Sequence, residues 1–516
     1  MTCKEKIIML ICLIISGISV YASTGNVETS EKINQPNIIY ILADDLGYGD
    51  VSCYNENSKI KTPFIDQLAA DGVRFTDAHT SSSVCTPTRY GILTGRYNWR
   101  SHLKKGVLNG YSKPLISNNR KTIAEFLKEH GYRTACIGKW HLGWEWNNIH
   151  KHKDSVDFSK PIKNGPTTLG FDYFFGFCGS LDMPPYVYVE NDMPTMIPSK
   201  MFEGMKDYKM ARPGLISEDF GSHVEVLPEL TRRSVEYIEQ TKTGQPFFLY
   251  FPLPAPHTPI VPTEEFQGKS GIESPYADFV IMVDWVVEEI MNAVKNKGVE
   301  ENTIIVFTSD NGCSPKANFK YLKSKGHNPS HVFRGQKSDI FEGGHRVPFI
   351  VKWPAKAKSA VSEQLISTTD MFATVAEIIG ENYGDEVAED SYSFLSSLTN
   401  VNTNAPLRMD IIHSSINGSF SIRKGDWKLI LCPDSGGWSY PNRKTDKEYV
   451  GTLPEFQLYN LRYDSGEENN MYEKETEIVK GLFNLIKKQI EEGRSTPGLS
   501  QRNDGEYPWK QLDWME

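Results

Sequence analysis

Apolar and polar positions alternate in two distinct rhythms along the first three-quarters of the chain. Short apolar runs at residues 37–42, 247–251 and 303–308 have the pattern of strands buried on both faces. Residues 73–78, 132–137 and 347–352 read as further strands. Helical patterns lie between them. One covers 62–70, opened by Pro63, and an amphipathic one covers 121–130, stopped by Gly131. Another spans 277–297, with Val283, Val287, Ile290 and Val294 at helical spacing, and a last one 369–379. Strands alternating with helices predict an α/β fold, a mostly parallel sheet covered by helices on both faces. In such sheets ligands bind at the carboxyl edge. Residues 147–223 are rich in Pro, Gly and aromatics and weakly periodic, a long connection of the kind that usually carries function. From about residue 400 the pattern changes to meandering antiparallel strands at 419–431 and 456–461, then a helix at 475–492. The expected division is a main domain over 23–399 and a small C-terminal α+β subdomain over 400–516.

The first residues fit neither part. Lys4 and Lys6 precede an apolar run ending near Ile18, and Val20-Tyr21-Ala22 offers small residues for cleavage. Residues 1–22 therefore read as a signal peptide, too short for a stable membrane anchor, which predicts a periplasmic or secreted protein. A composition of 39% hydrophobic and 23% charged residues is that of an ordinary globular enzyme, and 516 residues allow more than one core. The net charge of −9 argues against nucleic-acid binding and requires a local cationic pocket if the substrate is anionic. Beyond the leader the cysteines are Cys53, Cys85, Cys136, Cys178, Cys313 and Cys432, with no C-x-x-C spacing. They read as buried small hydrophobes rather than a disulfide framework or a zinc site.

Polar clusters follow the strands. Asp44-Asp45 and Asp310-Asn311 are hard oxygen donors without clustered histidine or thiolate, which favours Ca2+, with Mg2+ second, over zinc. Gly47 and Gly312 are expected to let each pair turn inward. Lys139 and His141, two apart, would share a face in extended chain. His257 is framed by Pro256 and Pro259. Cys85, in Ser81-Ser-Ser-Val-Cys85-Thr-Pro87-Thr-Arg89, stands at a helix N-terminus, where amides and dipole favour negative charge. It is a candidate nucleophile or oxyanion-binding residue.

The spacing Cys85-x-Pro87-x-Arg89, followed by Leu93-Thr94-Gly95-Arg96, resembles the signature of the type I sulfatases. Gly138-Lys139-Trp140-His141-Leu142-Gly143 and Lys337-x-x-x-Phe341-Glu342-Gly343-Gly344 resemble further blocks of that family, in its order, within residues 37–355. The resemblance implies an alkaline-phosphatase-like fold and sulfuric-ester hydrolysis. It implies that a maturation enzyme converts Cys85 to Cα-formylglycine, whose hydrated aldehyde is the nucleophile. It further implies a single Ca2+ on Asp44, Asp45, Asp310, Asn311 and residue 85. Lys139, Lys337 and Arg89 would then neutralise the sulfate, His141 would orient or deprotonate the diol, and His257 with Lys337 would serve the leaving oxygen. Ser180 matches a sulfate-proximal serine, while His327 and His345 match no role. The chain is most similar to bacterial carbohydrate sulfatases, including those acting on 6-sulfated galactose or N-acetylgalactosamine. On that likeness Asp182 and His223 are candidates for reading sugar hydroxyls. Trp99, Arg100, Trp140, Trp144, Trp146, Tyr186 and Tyr188 are candidates for stacking sugars or pairing acidic groups. Two other readings are a phosphomonoester or phosphonate hydrolase of the same superfamily, which would need a two-metal ligand set, and a silent glycan-binding protein, which would lack a core residue.

Overall fold

The computed structural model describes residues 35–148, 155–399 and 405–515, and residues 35–516 form one compact unit. The expected signal peptide lies outside the described residues.

Its centre is a ten-stranded mixed sheet. In chain order the strands are β1 (Asn37–Ala43), β2 (Val73–Phe75), β3 (Arg133–Lys139), β4 (Tyr173–Phe177), β5 (Val189–Glu190), β6 (Met193–Pro194), β7 (Phe247–Pro252), β8 (Thr303–Ser309), β9 (Phe349–Lys352) and β10 (Ala360–Ser362). They are arranged β10-β2-β9-β8-β1-β7-β3-β4-β5-β6. From β8 through β1, β7 and β3 to β4 every pairing is parallel, whereas β9 runs antiparallel to both β8 and β2. The apolar run at 347–352 is therefore a strand, but a reversed one.

Continuous apolar strands arise because both faces are covered. Ile39, Ile41, Leu249, Phe251, Ile305 and Phe307 pack with helices α1 (Pro63–Ala70), α4 (Val226–Gln240) and α5 (Pro275–Lys297). The alternate residues Ile38, Tyr40, Leu42, Phe248, Tyr250, Ile304 and Val306 pack with α2 (Cys85–Thr94), α3 (Ile123–Glu129) and α6 (Met371–Ile379). Two expectations need correction. The strand expected at 73–78 breaks after Phe75, and Ala78–His79 pairs separately with Ile366–Ser367. The weakly periodic region contains β4, whose Tyr-Phe-Phe-Gly-Phe run pairs in parallel with β3.

The C-terminal part is a four-stranded antiparallel sheet, Asp410–Ser414, Phe420–Lys424, Trp427–Ile430 and Gln457–Asn460, backed by α7 (Thr476–Glu492). Tyr97 and Trp99, just beyond α2, are buried in its core beside Ile412, Phe420 and Ile486. The C-terminal sheet is thereby packed directly onto the segment that follows Cys85.

Candidate active site

Neighbouring parallel strands deliver the site residues at one sheet edge. Asp44 follows β1, Asp310 follows β8, Lys139 is the last residue of β3, and His257 lies just past β7. Asp45 itself makes the turn, with φ +67°. Gly47 has φ −75° and supplies no turn. Both glycines are needed for close approach instead: a Cβ on Gly47 would meet the Pro329 carbonyl oxygen at 2.3 Å, and one on Gly312 the Gly343 oxygen at 1.9 Å. One donor atom each of Asp44, Asp45, Cys85 and His257 lies within 4.8 Å of the others.

Cys85 opens α2, which has no side-chain N-cap and is buried along its whole length. Burial pushes the Cys85 thiol up to about 11 despite Lys139 and Lys337 nearby. The helix terminus therefore does not create a reactive thiolate. As a thiol, residue 85 is a poor nucleophile.

Around it, cations face carboxylates. Lys139 Nζ donates to Asp44 Oδ2 at 2.6 Å, Lys337 Nζ to Asp45 Oδ2 at 2.7 Å, and Arg89 Nε and Nη2 to Asp310 Oδ2 at 3.0 and 2.8 Å. Burial alone would raise the Asp44 carboxyl, but Lys139, His257, Arg89 and Lys337 outweigh it and hold it well below the carboxylate range. Burial and the adjacent Asp44 push Asp310 up to about 7, against the pull of Arg89. Acids crowded this closely repel one another unless a cation joins them.

The two histidines are held differently. His141 has φ +54°, so it does not alternate with Lys139 on one face of extended chain as expected. Its Nε2 bonds the Leu108 carbonyl at 2.9 Å, which assigns the proton to Nε2 and leaves buried Nδ1 without a partner. Burial, then Lys139 and Arg89, hold it well below the usual imidazole value, hence neutral. His257 Nδ1 bonds the Thr258 carbonyl at 2.6 Å, and its Nε2 stands 3.6 Å from Asp45 Oδ2. Ser180 Oγ lies 3.4 Å from the same ring. The Leu108 and Thr258 carbonyls that fix these rings were not singled out from sequence, and a main-chain acceptor leaves no signal there. His327, without a role by resemblance, bonds Asp50 at 2.8 Å, and His345 packs with His79 and His413.

Further out, Asp182 Oδ1 and His223 Nε2 are buried without a hydrogen-bond partner. Burial lowers His223 to about 4, with Asp182 acting in the opposite sense. The proposed sugar-stacking aromatics do not survive. Trp99, Trp140, Trp144, Tyr186 and Tyr188 are buried in the cores, as is Trp146, and Arg100 is paired with Asp390 at 2.8 Å.

The oxygen set passes a test of fit for a hard divalent cation. Asp44 Oδ1 and Asn311 Oδ1 are both buried without a hydrogen-bond partner, the former 3.7 Å from Arg89 Nη2, while Asn311 Nδ2 donates to Asp45 Oδ1 at 2.7 Å and leaves its own oxygen free. Buried oxygens left without a hydrogen bond are costly unless a cation pairs with them.

The sulfatase family matches residues 36–381. An N-acetylgalactosamine-6-O-sulfatase of Bacteroides thetaiotaomicron is 33% identical over 92% of this chain and 96% of its own length. Arylsulfatase A of Homo sapiens is 30% identical over 92% of each chain. Among solved structures, a Bacteroides thetaiotaomicron protein from work on the metabolism of multiple glycosaminoglycans superposes with TM-score 0.78 at 33% identity, covering 88% of this chain and 99% of that one. A Pseudoalteromonas sulfatase, PsFucS1, shares the fold with TM-score 0.68 at 23% identity, covering 88% and 90%. Sulfatases typically use a formylglycine and a metal. On this evidence the chain belongs to the sulfatase family and is a hydrolase.

Proposed function

We propose that the protein is an exported carbohydrate sulfatase that removes a 6-O-sulfate from galactose or N-acetylgalactosamine. The observation that carries the reaction is the convergence of Asp44, Asp45, Cys85 and His257 within 4.8 Å, ringed by Lys139, Lys337 and Arg89. Support for the sugar comes from the 33% identity to an N-acetylgalactosamine-6-O-sulfatase over nearly the whole chain.

Asp44, Asp45, Asp310 and Asn311, with the oxygen of a modified residue 85, would hold Ca2+. When bound, the ion would withdraw charge from the sulfate oxygens. Residue 85, as hydrated formylglycine, would supply the attacking hydroxyl, a stronger candidate than a buried thiol. Lys139 and Lys337 neutralise negative charge on the ester as it shifts toward the leaving oxygen, and Arg89 braces Asp310. His257 Nε2, free of the Thr258 carbonyl that fixes Nδ1, would serve the leaving alcohol. His141 Nδ1, on a neutral ring and without a hydrogen-bond partner, would accept a proton from residue 85. Ser180 lies beside His257 at the edge where the ester would sit. Asp182 Oδ1 and His223 Nε2 each lack a partner and would accept from or donate to sugar hydroxyls.

Side-by-side hydrolysis of 4-O- and 6-O-sulfated N-acetylgalactosamine and N-acetylglucosamine tests this reading. Preference for the galacto 6-sulfate is expected, with Asp182→Ala and His223→Ala each eroding the galacto-over-gluco ratio. Equal rates on both sugars, or faster turnover of phosphate esters, would reject it.

A further inference from the structure

Although the tryptophans flanking the signatures are buried, Trp438 is not: it is 48% exposed, at the mouth of a groove of about 510 Å³ on the C-terminal sheet. Lys105, Trp438, Lys444, Phe456, Lys510 and Trp514 line that groove. Its size is that of small-molecule sites, and it combines aromatic faces with a few polar groups.

Two segments join it to the active site. Trp438 N donates to Asp339 Oδ1 at 2.8 Å and to Ser338 Oγ at 3.1 Å, immediately beside Lys337. Gly437 must be a glycine here, since a Cβ would meet Asp339 Oδ1 at 2.4 Å and the Ser338 oxygen at 2.5 Å. On the other side Lys105 begins the stretch that reaches Leu108, whose carbonyl holds His141 and whose N–H donates to Thr86 Oγ1. The adjoining Gly106 N–H bonds the Ile416 carbonyl at 2.8 Å, and Ile416 N–H bonds the Ser338 carbonyl at 3.1 Å. The groove is therefore tied by hydrogen bonds to the loop that carries Lys337, and Lys105 in its lining begins the loop that supports His141.

Among its described charged groups, lysines without an ion pair outnumber carboxylates without one by three to two. Arg443 is spent on Asp434, at 2.7 and 2.8 Å. Lys105, Lys444 and Lys510 form no ion pair among the described residues, and Glu455 and Asp513 share the lining with them. A pyranose has an apolar C–H face that packs on an indole and a polar rim that needs donors, which this wall supplies together.

We propose that the groove is a second sugar subsite: Trp438 stacks the sugar adjacent to the sulfated unit, and the unpaired lysines take that sugar's sulfate or carboxylate. This rests on the carbohydrate reading above. The ligand class is an anionic oligosaccharide rather than a sulfated monosaccharide.

The test compares kcat/KM on a 6-O-sulfated monosaccharide with that on a sulfated tetrasaccharide containing uronic acid. Trp438→Ala is expected to lower the tetrasaccharide-to-monosaccharide ratio about tenfold, through KM, and Trp438→Phe to restore most of it. Calorimetric titration with the desulfated tetrasaccharide gives a reading independent of turnover, with binding kept by Trp438→Phe and lost in Trp438→Ala. An equal fall on both substrates, or no change on the tetrasaccharide, overturns the subsite while leaving the carbohydrate reading intact. A wild-type enzyme that hydrolyses aryl sulfates but neither sugar overturns both.

Discussion

Lys337 Nζ stands 2.7 Å from Asp45, an ion pair buried at the centre of the site. Asp45 keeps Lys337 protonated, outweighing a burial that would lower it. The same carboxylate belongs to the proposed cation site, so a bound metal would compete with the lysine for its charge. Lys337→Ala is expected to lower kcat on a sulfate ester about 10²–10³-fold. It is also expected to enlarge the rise in Tm on adding Ca2+, because Asp45 loses its internal partner. Thermal denaturation with chelator and with Ca2+ reads the second effect without any turnover. A Tm indifferent to Ca2+ in both proteins would remove the metal from the assignment.

Residue 85 is the second point of test. Burial pushes its thiol up to about 11, and the proposed mechanism calls for the modified side chain instead. Mass spectrometry of active protein is expected to show Cys85 lighter by roughly 18 Da, as CH₂SH becomes CHO. Cys85→Ser is expected to become sulfated once and stall, since serine has no second hydroxyl from which to expel the sulfate. Repeated turnover by Cys85→Ser would contradict the mechanism.

Away from the site, Asp284 accepts from Phe64 N and Ile65 N at the start of α1, at 3.1 and 2.7 Å. Burial pushes its carboxyl up to about 7, with Asp66 and Glu288 acting in the same direction against those amides. Between the ordinary value of 3.8 and about 7 the folded chain binds more protons here than the unfolded one, so this residue's contribution falls as pH rises through that window. Asp284→Asn keeps an acceptor for the amides and cannot ionise. Relative to wild type its Tm is expected to gain steadily from pH 4 to pH 7. A constant Tm difference across that range would disprove the assignment.

Trp99 distinguishes packing from recognition. It is fully buried, with its ring near Tyr97, Phe420 and Trp509. Trp99→Ala is expected to cost about 3–5 kcal/mol of stability, read by denaturant titration. Its sugar selectivity, compared at a temperature where it remains folded, is expected to match wild type.

Much of this was legible along the chain. The apolar runs at 37–42, 247–251 and 303–308 announced buried parallel strands because a strand covered on both faces has no polar side to display. The acids after two of them, and the cysteine that opens α2, marked the sheet edge where ligands bind. The resemblance then supplied the chemistry. The C-terminal helix and most of its meander were visible as well, from their change in rhythm.

Other properties belong to the tertiary structure because they depend on neighbours distant in sequence. The strand direction of β9 is set by its pairing with β8 and β2, which a local apolar run does not encode. Left-handed turns at Asp45 and His141 replaced the glycine turn and the simple alternation expected for them, since packing around each residue selects its φ. Partners far along the chain also fixed the proton on His141 and buried the flanking tryptophans. Trp438 was left exposed because its own loop is held against Ser338 and Asp339, a hundred residues away. Local pattern determined which segments become strands and helices and where acids gather; long-range contact decided which side chains meet, in which protonation state, and which face the solvent.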